Sequence, residues 1–222
     1  MKQPTGSLKI VLCGDPEVGK TTLRRKFMGK SFRTTYKPTI GVDFALKEFS
    51  LRDDDRTCQL QIWDLGSQEA FKSVRKIYYR SACGAMLLFD ITNPKSCENL
   101  SIWMNEIWEN TGFGIIPVIL IGNKVDLRNS MENTVDPCFG DQYAQEQSAC
   151  TKQHGFQVQY LETSAKTGEH VEKAFELLVG KIVTRFGLDR TEKPINSSSR
   201  RKKPLTTQTH PEGEVRSFKT FK

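Results

Sequence analysis

Residues 8–186 predict an α/β fold: a six-stranded, mostly parallel sheet with one antiparallel edge strand and helices on both faces. Three observations carry that expectation. Short apolar runs alternate with stretches of helical periodicity, the pattern of strand–helix–strand units. The run at residues 8–13 is apolar apart from Lys9 and closes on Gly14, as a strand buried on both faces does. Residues 42–51 and 57–63 alternate apolar and polar side chains around Asp53-Asp54-Asp55, which reads as an antiparallel hairpin.

Along the chain, a helix over residues 20–28 follows the first strand. After the hairpin comes a helical pattern at 69–79, then an apolar strand at 85–90. A helix at 97–110 leads into a strand at 117–122. A helix at 139–153, a sixth strand at 157–163 and a last helix at 171–186 complete the unit. Residues 1–7 are a short N-terminal extension. Residues 187–222 are rich in Ser, Thr, Pro and charge, with few packing side chains before Phe218, so a disordered tail is expected there. The sequence holds no internal repeat.

The 222 residues suffice for one domain with a sizeable core plus a tail. No apolar run approaches the roughly 20 residues of a membrane span, and no apolar segment follows the N-terminus as a signal peptide would. A cytoplasmic protein is expected. The six cysteines form no CxxC pair and only three histidines exist, so no zinc site is expected; Cys13 and Cys83 read as small core residues. The net charge of +7 is uneven: residues 187–222 hold nine Lys/Arg against four acids, so +5 belongs to the tail. The basic character says little about the folded body, and no nucleic-acid partner is expected.

Gly14-Asp15-Pro16-Glu17-Val18-Gly19-Lys20-Thr21 fits the phosphate-binding pattern G-x-x-x-x-G-K-[ST], after a strand and opening a helix. Backbone N–H groups from Glu17 through Val18, Gly19, Lys20, Thr21 and Thr22 would cradle phosphate oxygens at the helix N-terminus. Lys20 would reach the β and γ phosphates, and Thr21 would offer its hydroxyl to Mg²⁺. Asn123-Lys124-Val125-Asp126 then selects the base. The Asp126 carboxylate can accept from guanine N1–H and the 2-amino group, a donor pair that adenine lacks. The Lys124 stem can cover the base. In Thr163-Ser164-Ala165-Lys166 the Ala165 N–H suits guanine O6.

The ordered set of this phosphate loop, Thr39 in YKPTIGVDF, WDLGSQE, NKVD and TSAK resembles the Ras superfamily of small GTPases, and within it the Rab family most. The Rab-like stretches are Ile40-Gly41-Val42-Asp43-Phe44, Leu60-Gln61-Ile62-Trp63, Tyr78-Tyr79-Arg80-Ser81-Ala82 and Leu87-Leu88-Phe89-Asp90-Ile91-Thr92. The resemblance covers residues 8–186 and implies a P-loop small-GTPase fold. It implies that Gly14 belongs to the phosphate loop, and that Thr39 ligates Mg²⁺ and donates its N–H to the γ-phosphate. Asp64 would hold Mg²⁺ through a water, and Gln68 would orient the attacking water. Phe32 would stack at the guanine edge, unless it is a plain core residue. Asn123, Ser164 and Lys166 would complete the guanine site. Ile40, Phe44, Trp63 and Tyr78 would face effectors. GTP or GDP with Mg²⁺ is the implied ligand set. A GTPase-activating protein, an exchange factor and switch-dependent effectors are the implied partners of a monomer. Tyr36 stands where another branch carries an arginine of its own, so intrinsic hydrolysis is expected to be slow.

Four departures follow. The family loop D-T-A-G-Q-E is here Asp64-Leu65-Gly66-Ser67-Gln68-Glu69. Ser67 keeps the N–H meant for the γ-phosphate, but its Cβ restricts the backbone, and Gly66 is expected to restore mobility. Pro16 and Glu17 replace small residues, Pro16 lying where an arginine supplied in trans would enter. An insertion of about ten residues is expected at 129–140, as a surface loop. Finally, no cysteine follows Cys150, so no prenyl anchor is expected. Arg200-Arg201-Lys202-Lys203 leaves only a weak electrostatic membrane contact, about 1 kcal/mol per residue. The rival reading is a GTP-bound interaction module with negligible hydrolysis.

Overall fold

The computed structural model describes residues 6–32, 39–51 and 57–188. The turn at 53–55, Tyr36 and the tail with residues 200–203 lie outside them. Six strands form one sheet: β1 (Ser7–Gly14), β2 (Val42–Ser50), β3 (Thr57–Leu65), β4 (Gly84–Asp90), β5 (Val118–Asn123) and β6 (Gln159–Thr163). Their order is β2-β3-β1-β4-β5-β6. β2 pairs antiparallel with β3 at one edge, and every other pairing is parallel. This is the expected fold class.

The apolar run of β1 faces two cores because successive side chains alternate. Ile10 and Leu12 join Leu23, Phe27, Phe175 and Leu178 under helices α1 (Lys20–Phe27) and α6 (Val171–Phe186). Val11 and Cys13 join Tyr79, Trp103, Ile107 and Tyr143 on the opposite face. That face is covered by α2 (Lys72–Tyr79), α4 (Leu100–Asn110) and α5 (Pro137–Thr151), with the one-turn α3 (Lys95–Glu98) before α4. A sheet covered on both sides explains the near-continuous apolar strands β4 and β5, each of which is buried throughout.

Four expectations change. The helix expected over 69–79 opens as a 3-10 turn, Glu69–Phe71, before α2. The helix expected over 97–110 is divided, because α3 stops at Glu98 and Asn99 stands between it and α4. The expected insertion at 129–140 is only partly a loop: α5 begins inside it, at Pro137. Asp136 caps it by accepting from the Cys138 N–H at 2.7 Å, and Pro137 needs no donor in the first turn. The loop is tied to the body by Val135 N–H to Ile91 O (2.7 Å) and by Arg128 Nη1 to Val135 O (2.8 Å). Cys83, expected in the core, is half-buried, whereas Cys13 is fully buried.

Candidate functional site

The carboxyl ends of β1, β3, β5 and β6 bring Gly14, Asp64, Asn123 and Thr163 to one rim of the sheet, where open α/β sheets bind ligands. The phosphate loop turns from β1 into α1 there. Gly19, at its hinge, has φ +100°, and a Cβ on it would come within 2.2 Å of Asn123 Nδ2. Only glycine allows that approach. Glu17 also has positive φ, 64°, with its side chain exposed. Pro16 is exposed beside it.

Lys20 is buried, and its Nζ donates to Gly14 O (2.8 Å), Asp15 O (2.7 Å) and Ser67 Oγ (3.2 Å). Burial lowers its pKa to about 8, against the attraction of Asp64. An anionic ligand over this loop would therefore meet a cation that has few solvent partners of its own. Asp15 is anchored in turn: its two carboxylate oxygens accept from Trp103 Nε1 and Asn99 Nδ2, both at 2.7 Å.

The three residues expected at Mg²⁺ converge. Thr21 Oγ1 lies 2.8 Å from Thr39 Oγ1 and 2.5 Å from Asp64 Oδ2. Neighbouring ligands of an octahedral Mg²⁺ lie about 3 Å apart, given bonds of about 2.1 Å. Asp64 is fully buried, and its Oδ1 has no hydrogen-bond partner among the described residues. Burial raises its pKa, offset by Thr21 and Lys20. A buried carboxylate oxygen without a donor suits a hydrated cation, so the hard-oxygen donor set fits Mg²⁺.

Asn123 links the base side to the phosphate side. Its Nδ2 donates to Val18 O (2.8 Å), and its Oδ1 accepts from Thr163 Oγ1 (3.1 Å) and Ala165 N–H (3.0 Å). The Ala165 N–H is thus already engaged, and a guanine O6 would have to share it. Ser164 Oγ donates to Asp126 Oδ1 at 2.6 Å, and Lys166 Nζ stands 3.7 Å from Asp126 Oδ2. Lys124 has a left-handed backbone (φ 72°) and pairs with Asp90 Oδ2 at 2.6 Å. Phe32 is exposed, which removes the plain-core alternative for it. Thr22 is half-buried in the first turn of α1.

A family model described as the Ras family matches residues 9–184. The chain belongs to the Ras family. Its Rab-like character is borne out by relatives. Ras-related protein Rab-13 of Canis lupus familiaris is 36% identical over 181 residues, 81% of each chain. Ras-related protein Rab-8B of Homo sapiens is 37% identical over 178 residues, 80% of this chain and 79% of its own. Ras-related protein RABA6b of Arabidopsis thaliana is 39% identical over 176 residues, 78% and 70%.

In this Rab-like GTPase the aromatic side chains expected to face effectors form one cluster. Phe44 and Trp63 have ring centroids 4.8 Å apart, and Trp63 and Tyr78 5.3 Å. Ile40 is highly exposed. Lys9, which the sequence did not single out, places its Nζ 4.5 Å from the Trp63 ring.

Gly66, expected to supply mobility beside Ser67, is closely packed in this structure. Gly66 is buried, its N–H donates to Gly41 O at 2.7 Å, and a Cβ there would meet Thr39 O and Gly41 O at 2.8 Å. Glycine at 66 permits close packing of this loop on residues 39–41. Nor is Ser67 at positive φ in this structure. Sequence reasoning also missed Arg75 and Glu106, a buried pair with Arg75 Nε 2.8 Å from Glu106 Oε1. The signal was present: each is a charge on the apolar stripe of its helix, and the two are opposite in sign.

Proposed function

We propose that this protein is a guanine-nucleotide switch that binds GTP or GDP with Mg²⁺ and slowly hydrolyses GTP to GDP and phosphate. The observation that carries the reading is the meeting of Thr21, Thr39 and Asp64 at one rim point beside Lys20. Asn123 ties that point to the base-side loop through Val18.

Each residue then has a chemical task. The phosphate-loop N–H groups from Glu17 to Thr22, together with Lys20, offset charge on the β and γ oxygens. Thr21 and Thr39 would hold Mg²⁺ directly, and Asp64 through a water. Bound Mg²⁺ would neutralise further charge on the phosphate oxygens. Gln68, exposed at the open side, orients the attacking water, and the Ser67 N–H faces the γ-phosphate. Asp126, held by Ser164, accepts from guanine, with Asn123, Ala165 and Lys166 framing the base, Lys124 along it and Phe32 at its edge. Slow turnover is the expectation without an arginine supplied by a partner, which can be worth 10³–10⁵ in rate.

Ile40, Phe44, Trp63 and Tyr78 would present the nucleotide state to effectors, in intracellular trafficking or signalling as Rab resemblance suggests. A GTPase-activating protein and an exchange factor would act on a cytoplasmic monomer. Among the described residues no helix is long and apolar enough to cross a membrane. Membrane contact would rest on the basic residues 200–203.

One observation favours a second reading, a GTP-bound module with negligible hydrolysis: the Ser67 hydroxyl accepts from Lys20 Nζ, taking up a donor of the lysine that would serve phosphate. Competition of labelled GTP by GDP, ATP and GTP tests the base assignment. GDP should displace it and ATP should not. Efficient displacement by ATP would refute guanine selection.

A further inference from the structure

The Arg75 guanidinium grips the loop on either side of Ser67. Its Nη1 donates to Gly66 O (3.1 Å) and Gln68 O (2.9 Å). Its Nε and Nη2 form a two-pronged contact with Glu106, at 2.8 and 3.1 Å. Tyr79 Oη donates to the same Glu106 Oε1 at 3.1 Å. Arg75 and Glu106 are both buried. Arg75 also lies over the Trp103 ring, 4.7 Å from its centroid, and Trp103 Nε1 is the donor to Asp15 of the phosphate loop. Helix α4 is thus one post to which both the phosphate loop and the 66–68 loop are tied.

The two carbonyls matter because of the peptide plane. Gly66 C=O and Ser67 N–H belong to one peptide group, and no peptide in the described chain is cis. In a trans peptide the N–H points opposite to the carbonyl. With Gly66 O turned toward Arg75, the Ser67 N–H is turned away from the α2–α4 side. The Ser67 hydroxyl reaches Lys20 on the phosphate-loop side. The Gly66 N–H is engaged by Gly41 O. Four atoms of residues 66–68 therefore have protein partners.

We infer that Arg75 is a positioning residue that presets the 66–67 peptide for a γ-phosphate, so that this loop is ordered before GTP arrives. The inference rests on the reading of the chain as a guanine-nucleotide switch. Its consequence is energetic. A loop that must be ordered by the γ-phosphate charges that ordering to GTP binding, whereas a preset loop does not. Arg75 thereby raises affinity for GTP relative to GDP and reduces the structural difference between the two states.

Arg75→Lys tests this. Lysine keeps a cation beside Glu106, but a single ammonium lacks the fork that spans two carbonyls and a carboxylate. The double variant Arg75→Met/Glu106→Leu removes both buried charges together and avoids leaving one unpaired. Affinities for Mg²⁺-GDP and Mg²⁺-GTP are measured alongside amide hydrogen exchange at 66–68. The expected result is a roughly tenfold fall in the GTP-to-GDP affinity ratio, with GDP affinity unchanged. Exchange at 66–68 in the GDP-bound protein should rise in both variants. A folded variant with unchanged ratio and unchanged exchange overturns the inference. If the wild-type chain bound neither nucleotide, the switch reading itself would fall. Exchange without added nucleotide would then decide the clamp: faster exchange in Arg75→Lys supports it, and equal exchange rejects it.

Discussion

The hydroxyl of Ser67 lies 3.2 Å from the ammonium of Lys20. One residue belongs to the loop proposed to sense the γ-phosphate, and the other to the loop proposed to bind it. Their contact joins the two loops by a side chain that glycine could not supply. It gives a physical reason to expect slow turnover that backbone restriction alone does not. The hydroxyl accepts from a cation whose charge the proposed mechanism places on the phosphates.

Asn123→Ala should destabilise the protein and weaken nucleotide binding together. Asn123 is buried and satisfies Val18 O, Thr163 Oγ1 and the Ala165 N–H. Leaving these groups without a partner costs about 3 kcal/mol. Urea unfolding reads the loss. A variant as stable as wild type would contradict the cross-link.

Asp126→Asn should lower GTP affinity by about 100-fold or more while leaving the fold intact. The amide turns one of two acceptors into a donor, facing the guanine N1–H and 2-amino group. Ser164 Oγ can still bond the remaining oxygen. Equilibrium binding of a fluorescent GDP reads the effect, and unchanged affinity would remove Asp126 from the base site.

Chelating divalent metal should speed GDP release. Asp64 Oδ1 is buried without a donor among the described residues, and Thr21 and Thr39 present hydroxyls to the same point. Stopped-flow release with and without excess chelator measures this. Equal rates would mean these oxygens hold no metal that matters to the nucleotide.

Much of this architecture was legible in the sequence for definite reasons. The sheet was legible because strands such as β4 are apolar up to the closing Asp90, and turn residues separate them. The site was legible because backbone requirements leave glycines at fixed offsets: Gly19 must admit Asn123. What was not legible depends on contacts between distant segments. The Gly66 N–H to Gly41 O bond and the Arg75 grip on residues 66–68 follow from how α2 and the 39–41 segment fold back. Local composition made Gly66 look like a hinge, and packing made it an anchor. The start of α5 at Pro137 was hidden by an expected insertion, though Asp136 followed by Pro137 is a helix-start signal.

Single-turnover hydrolysis in wild type, Ser67→Gly and Ser67→Ala is the most direct test of a slow but working switch. GTP-loaded protein is followed for phosphate release with the bound nucleotide identified. Slow conversion of bound GTP to GDP is expected in wild type, and faster release in Ser67→Gly. Ser67→Ala should fall between them, because it loses the hydroxyl that reaches Lys20 but keeps the Cβ. No phosphate release from wild type, or a rate in Ser67→Gly equal to or below the wild-type rate, would contradict it.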